Sequence, residues 1–419
     1  MINGPTDQLA DRLDQLRPDL DQLVAELIAI NSQIPPHGDE QAIVEFLREY
    51  LHGHGLGAGT VLSKEPSRPN LVLRIQGDQP GPVLGLCGHV DTKPVGDAAE
   101  QWRTEPLVAT DVDGMIFGLG ASDMKAAVAA MVTAARAAHD VGAINKGALE
   151  LILVADEEAG ATYGSRWLAP QLSDLDACVI GEPSGWERDW QGLHLISRGL
   201  SCFRIRVAGT QRHSSLSDRL PSINASLQLA RLMIEMNESM RLSYPKQLFG
   251  ELRPTVNPGV LLHGGVFFGV VPGEATFGCD VRTVPGMTYE QLSDDLRRWL
   301  RRASERLGID AELEFEPGLT WIDPSTVPAE SPIVRAAQRA CRRALGEAPP
   351  LSFFPGTTDA PWFTAAGVPT IPSLGPGILT YCHGPNEAVS ARSVHQAAAI
   401  YAHLVADFLG DQSSSTIMA

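Results

Sequence analysis

The chain has 419 residues, 44% of them hydrophobic and 20% charged, and carries a formal net charge of -17 at pH 7. That length and apolar content can bury a sizeable core, divided between two globular units. The negative charge repels phosphate backbones and anionic lipid heads, so neither nucleic acid nor a membrane surface is expected as a partner.

The first residues, MINGPTDQLADRLDQL, lack the basic start and apolar core of a signal peptide. No stretch approaches the roughly 20 apolar residues that a membrane helix requires. The six cysteines, Cys87, Cys178, Cys202, Cys279, Cys341 and Cys382, form no C-x-x-C pair and read as reduced core residues. A cytoplasmic location is expected.

Leu9, Leu13, Leu16, Leu20, Leu23 and Leu27 alternate in steps of four and three, the spacing of one helix face, with Pro18 interrupting it. Such a face suits docking onto the chain's own core better than a coiled coil. Apolar runs then alternate with helical stretches: NLVLRI, PVLGLCGHVD, DMKAAVAAMVTAARAA, LELILVADEE and ACVIGEPS. Runs apolar on both faces and separated by helices indicate an α/β fold with a mostly parallel sheet covered on each side.

The pattern changes near Ser197. In CFRIRVAG, Phe203, Ile205 and Val207 alternate with Arg204 and Arg206, and TFGCDVR alternates likewise, as antiparallel strands with one wet face do. Two amphipathic stretches, NASLQLARLMIEMNESM and TYEQLSDDLRRWLRRASERLG, fall between them. A small α+β, ferredoxin-like domain over 196–318 is therefore expected, inserted into a discontinuous first domain of 1–195 and 319–419. The polar ending GDQSSSTIMA is expected to fray.

Open parallel sheets bind ligands at the carboxyl ends of their strands. The polar residues ending each apolar run thus become candidates: His89 and Asp91, Glu157 and Glu158, and Glu182. Asp123 opens the alanine-rich helix, and His383 follows a late strand. So many carboxylates on one rim repel one another unless cations compensate, and imidazole with carboxylate but no thiolate suits Zn, Mn or Co. The adjacent glutamates suggest a division of labour, one binding metal and the other handling protons.

GHVDTKP, GLGASDMKAAVAAMV, ADEEAG, GEPS, GTTDAP and HGPNE, in this order, resemble the signature of the M20 metallopeptidase family. The branch is that of acetylornithine deacetylase, succinyl-diaminopimelate desuccinylase and glutamate carboxypeptidase, and the likeness spans nearly the whole chain. The resemblance implies two divalent ions, zinc first with cobalt or manganese as alternatives. Asp123 would bridge them, with His89 and Glu182 on one ion and Glu158 and His383 on the other. Asp91 would accept the second N–H of the His89 ring, and Glu157 would be the general base.

The same resemblance makes the inserted domain a lid and dimerisation domain. His213 would reach a neighbouring active site in a homodimer. Arg282 and the loop Gly356, Thr357, Thr358 and Asp359 would hold a substrate carboxylate, with Asn257 grouped beside them. The lid departs from the branch in having Phe268 and Gly269 where asparagine is common, and its histidine segment is longer. Phe267, Phe268, Trp362 and Phe363 suggest a partly apolar pocket. The activity implied is hydrolysis of an N-acyl amino acid, acetylornithine deacetylase-like. The alternatives are a carboxypeptidase or dipeptidase with the same metals and base, and a catalytically silent binding protein of the same fold.

Overall fold

The computed structural model describes residues 5–410 except 173. The expected fraying of the C-terminal tail concerns residues 411–419 and so lies outside those described, as do the first four residues of the N-terminal stretch. The described chain forms two compact units. One comprises the chain up to Ser197, Ser325–Phe354 and the part from Thr358 onward; the other comprises Arg198–Pro324 and Pro355–Thr357.

The first unit is built on a six-stranded sheet in the order Thr60–Leu62, Asn70–Gln76, Lys146–Val154, Gln79–His89, Ala177–Ile180, Thr370–Ile371. The last four strands are mutually parallel, whereas Asn70–Gln76 runs antiparallel to Lys146–Val154. NLVLRI therefore departs from the parallel expectation. Only Gly77 and Asp78 separate it from the next strand, and a parallel connection needs a crossover of a dozen or more residues.

On one side the helices Pro5–Ala29, Ala126–Asp140 and Ala391–Leu409 pack together. The first continues through Pro18, which sits on its exposed side, and buries Leu9, Leu16, Leu20, Leu23 and Leu27 to at most 2% exposure. Docking onto the core is thus how the leucine face is used. On the other side, Leu168, Leu172, Phe363 and Val368 join Cys87, Ile152 and Cys178 in a second apolar layer. Phe363 is fully buried and Trp362 packs against this layer, its ring 5.1 Å from the Arg166 guanidinium. The reading of these two aromatics as pocket residues is therefore replaced by a core role.

The second unit is a four-stranded antiparallel sheet in the order Thr255–Gly264, Glu274–Thr283, Gly199–Ala208, Ala311–Phe315. With helices Ala225–Ser239 and Tyr289–Leu307 between its strands, this is the ferredoxin-like order. Phe203, Ile205 and Val207 enter its core. Arg204 and Arg206 occupy the opposite face and pair with Glu316, Glu274 and Glu312, the alternation expected of a half-wet sheet. Among the described residues no helix is long and apolar enough to cross a membrane.

Candidate metal centre

Three adjacent parallel strands of the first unit end side by side, and their ends deliver the candidate residues. Gln79–His89 ends on His89, Lys146–Val154 leads into Glu157 and Glu158, and Ala177–Ile180 leads into Glu182. After Val154 the chain must turn sharply. Asp156 adopts φ +66, its carbonyl accepts the Ala161 N–H, and its side chain accepts the Tyr163 N–H. A buried triad braces this turn: Arg68 donates two bonds to Glu40, at 2.5 and 2.6 Å, and lies 2.9 Å from Asp156.

Asp123 does not open the alanine-rich helix as expected. It lies in an irregular segment before Ala126–Asp140, with φ -130 and ψ 88, so its side chain is placed by a kink rather than by a helix turn. The kink is held by Glu387, whose buried carboxylate accepts N–H bonds of 2.9 Å from Gly120, Ser122 and Asp123.

Two groups of donors result: His89, Glu157 and Glu182, and Asp123, Glu158 and His383, the ligand atoms of each lying within 4.8 Å of one another. Asp123 faces both. Its Oδ1 is 3.0 Å from His89 Nε2 and its Oδ2 is 3.1 Å from His383 Nε2. Glu182 Oε1 lies 3.6 Å from His89 Nε2, and Glu158 Oε1 lies 3.2 Å from His383 Nε2.

The role expected of Asp91 is altered. His89 Nδ1 donates to the backbone carbonyl of Asp91 at 3.0 Å, while the nearer carboxylate oxygen is 3.7 Å away. That carboxylate instead accepts the N–H groups of Glu157 and Glu158, at 3.2 and 3.0 Å. Sequence spacing placed Asp91 correctly beside the ring, but amide donors from the neighbouring strand end compete for its oxygens.

The electrostatics show what the cluster lacks. Burial pushes Asp91 up to about 7. Burial and the surrounding acids drive Glu157 and Glu182 well above the carboxylate range, against a downward pull from His89. Burial should keep His383 neutral, yet hydrogen bonds with Asp123 and Glu158 carry it up to about 11. With His89 Nδ1 already committed as a donor, its Nε2 lone pair faces carboxylate oxygens, an arrangement that requires either a proton or a shared cation. Two imidazoles, four carboxylates and no thiolate fit divalent Zn, Mn or Co.

Two residues that sequence reading passed over belong to this centre. Glu387 stood within the HGPNE stretch, where only the histidine was taken as functional. Lys93, in GHVDTKP, sits 3.0 Å from Glu158 Oε2 and also donates to the Glu158 carbonyl.

The expected substrate residues divide between the units. Arg282, in the second, is forked onto Asp280 at 3.2 and 3.0 Å and reaches Thr357 Oγ1 with its remaining terminal nitrogen at 3.3 Å. Asn257 donates to the same Asp280 at 3.1 Å, and the Gly356 carbonyl accepts the Arg198 N–H. His213 is exposed beside Val270, and its Nδ1 accepts the Ser215 N–H, which leaves the ring proton on Nε2. In the first unit Thr358 and Asp359 are buried. Thr358 Oγ1 accepts the Ala360 N–H, and Asp359 accepts the Ser165 hydroxyl, burial pushing its carboxyl up to about 6.

The model of peptidase family M20/M25/M40 matches residues 85–407. A succinyl-diaminopimelate desuccinylase of Alkalilimnicola ehrlichii is 31% identical over 342 residues, covering 79% of this chain and 85% of that protein. Another from Sulfurovum sp. is 27% identical over 392 residues, covering 92% and 98%. Human carnosine dipeptidase 1 shares the fold with a TM-score of 0.76 at 19% identity, over 97% of this chain and 99% of that one. A metallo-carboxypeptidase of Sulfolobus solfataricus gives 0.74 at 18% identity, over 93% and 99%. With the family's pattern matched across more than three quarters of its length, the chain belongs to peptidase family M20/M25/M40.

Proposed function

We propose that the protein is a binuclear metal-dependent amidohydrolase that cleaves the acyl–nitrogen bond of an N-acyl amino acid, giving a carboxylate and a free amino acid. The observation that carries this reading is Asp123, whose two carboxylate oxygens address two different histidines, each accompanied by a glutamate. In this reading Asp123 is shared, His89 and Glu182 hold one ion, and Glu158 and His383 hold the other. Bound there, two divalent ions, zinc first, supply Lewis acidity to the scissile carbonyl and acidify the attacking water.

Glu157 takes the proton from the attacking water and returns it to the leaving nitrogen. Its neighbour Glu158 falls in the other donor group, while both amides are tied to Asp91. His213 offers an Nε2 proton suited to an oxyanion. Arg282, with Asn257, Gly356 and Thr357, is the candidate carboxylate-binding group, although Asp280 already takes up much of the guanidinium. Thr358 and Asp359, which follow in the chain, are the remaining residues of the candidate loop.

A homodimer is part of the proposal. The edge strand Thr255–Gly264 leaves Val260, Leu261 and Leu262 about half exposed, and Leu227 and Ile234 are exposed on helix Ala225–Ser239. An unpaired apolar edge is a template for a second copy. The six cysteines, none of them set in a C-x-x-C pair, suit the reducing cytoplasm.

The test is a panel of N-acetyl, N-succinyl and longer N-acyl amino acids with dipeptides, assayed on chelated protein, on zinc- or cobalt-restored protein and on Glu157→Ala. Turnover should return with metal and fall at least about 100-fold in the variant, which retains its ions. Hydrolysis that ignores both chelation and the substitution would sink the mechanism. Dipeptide turnover above that of all acyl amino acids would favour the peptidase alternative. Sedimentation of Leu261→Asp beside the parent chain tests the dimer.

A further inference from the structure

The two donor groups differ in one respect that the proposed chemistry leaves unused. Lys93 leaves the end of the Gln79–His89 strand and enters the cleft lined by Trp102, Asp123, Glu158, His383 and Glu387. Its ammonium is 3.0 Å from Glu158 Oε2 and bonds the carbonyl of the same residue. Glu158 is thus gripped at both ends, by backbone and side chain, while Oε1 alone faces His383 at 3.2 Å. Burial opposes the lysine's charge, and the carboxylates of Glu158 and Glu157 more than offset it.

We infer that Lys93 is a positioning residue that confines Glu158 to one ligand oxygen and keeps the Asp123–Glu158–His383 position the weaker of the two for divalent ions. This rests on the assignment of the two donor groups as ion sites. Two consequences follow from the geometry. With Oε2 neutralised by the ammonium, the carboxylate presents less negative charge to an ion beside Oε1. The ammonium itself also repels a divalent ion a few ångström away, across a partly buried cleft where screening is incomplete.

Loss of the grip would not by itself release Glu158. Its N–H remains bound to Asp91 Oδ2 at 3.0 Å, and only 8% of the residue is exposed. Removing the charge should therefore outweigh removing the support.

The experiment is calorimetric titration of the chelated full-length chain with Co(II) and Zn(II), comparing the parent with Lys93→Met and Lys93→Arg, with Co(II) absorption recorded alongside. The parent should show two steps. In Lys93→Met the weaker step should tighten at least about tenfold, the stronger step should stay fixed, and the Co(II) band should weaken as Glu158 adds a second oxygen. Lys93→Arg should follow the parent. The fixed stronger step reports that the variant is folded. A weaker step that does not move, or that disappears, overturns the inference, the latter making Lys93 a plain support for Glu158. A parent chain that binds no pair of ions overturns the assignment of the centre itself, and the inference falls with it.

Discussion

Replacing Arg68 by Met should destabilise the first unit by about 3–5 kcal/mol. The guanidinium is 6% exposed and serves Glu40 and Asp156, which are 0% and 3% exposed. Methionine fills the volume but leaves two carboxylates buried without a counter-charge, and this is where the cost arises. Each keeps one amide donor, Glu40 from Asp156 and Asp156 from Tyr163, which argues for the lower half of the range. Against a total stability of about 5–15 kcal/mol, the loss would leave a folded but fragile protein. Because Asp156 also shapes the turn carrying Glu157 and Glu158, turnover should fall with stability. Urea unfolding followed by circular dichroism, with and without restored metal, measures the first effect. The double variant Arg68→Met with Glu40→Leu should recover part of the loss, since an apolar replacement removes one stranded charge. A loss below about 1 kcal/mol in the single variant, or a double variant at least as unstable as the two single losses added, would refute the reasoning.

Glu387→Gln keeps the shape of the side chain but aims an amide NH2 at some of the three N–H groups that hold the Asp123 kink. We expect about 2 kcal/mol of lost stability and fewer than two ions per chain by elemental analysis, whereas retention of two ions at parental affinity would show that the kink holds without this bond set. His194 carries a prediction about acid. Burial lowers its pKa from 6.5 to about 4, against the hydrogen bond its Nε2 donates to the Ser184 carbonyl at 3.0 Å. The folded state therefore holds fewer protons than the unfolded one between these values. This contribution is complete above about 6.5 and disappears as pH falls towards 4, removing roughly 3 kcal/mol at ~1.4 kcal/mol per pH unit. His194→Asn should flatten that part of the stability profile measured by urea midpoints; an unchanged slope would place the acid sensitivity elsewhere.

The parts of the molecule legible in the sequence were those governed by local periodicity. The leucine spacing over residues 9–27 identified a helix and its buried side, and the alternation over Phe203–Val207 identified a strand with a charged outer face. The strand-end rule gathered His89, Glu157, Glu158 and Glu182 because three neighbouring parallel strands share a direction. What stayed hidden depends on distant partners. Nothing near Arg68 announces Glu40 and Asp156, and nothing near Glu387 announces amides some 265 residues earlier. Trp362 and Phe363 look alike whether they line a pocket or a core, and only the position of the Ala360–Ala365 helix under the sheet decides it. The role of Asp91 came from the resemblance and its place two residues after His89, neither of which registers the two amides that compete for its carboxylate.

Those hidden partners explain how a cluster of acids can be preset. The segments that carry Asp123, Glu157 and Glu158 are fixed by carboxylates that accept backbone N–H groups: Glu387 holds 120–123, Asp91 holds Glu157 and Glu158, and Asp156 closes the same turn onto Tyr163. Each amide bound in this way favours the charged form of the acid and works against its burial. Asp123, Glu158 and Glu182 instead turn their oxygens towards histidine nitrogens and towards one another, where neither amides nor solvent can satisfy them fully. The sequence thus contains two populations of buried carboxylates. One organises the backbone, and the other leaves a deficit of positive charge in the place that backbone defines, so the demand for cations is localised by bonds that do not depend on the cations being there.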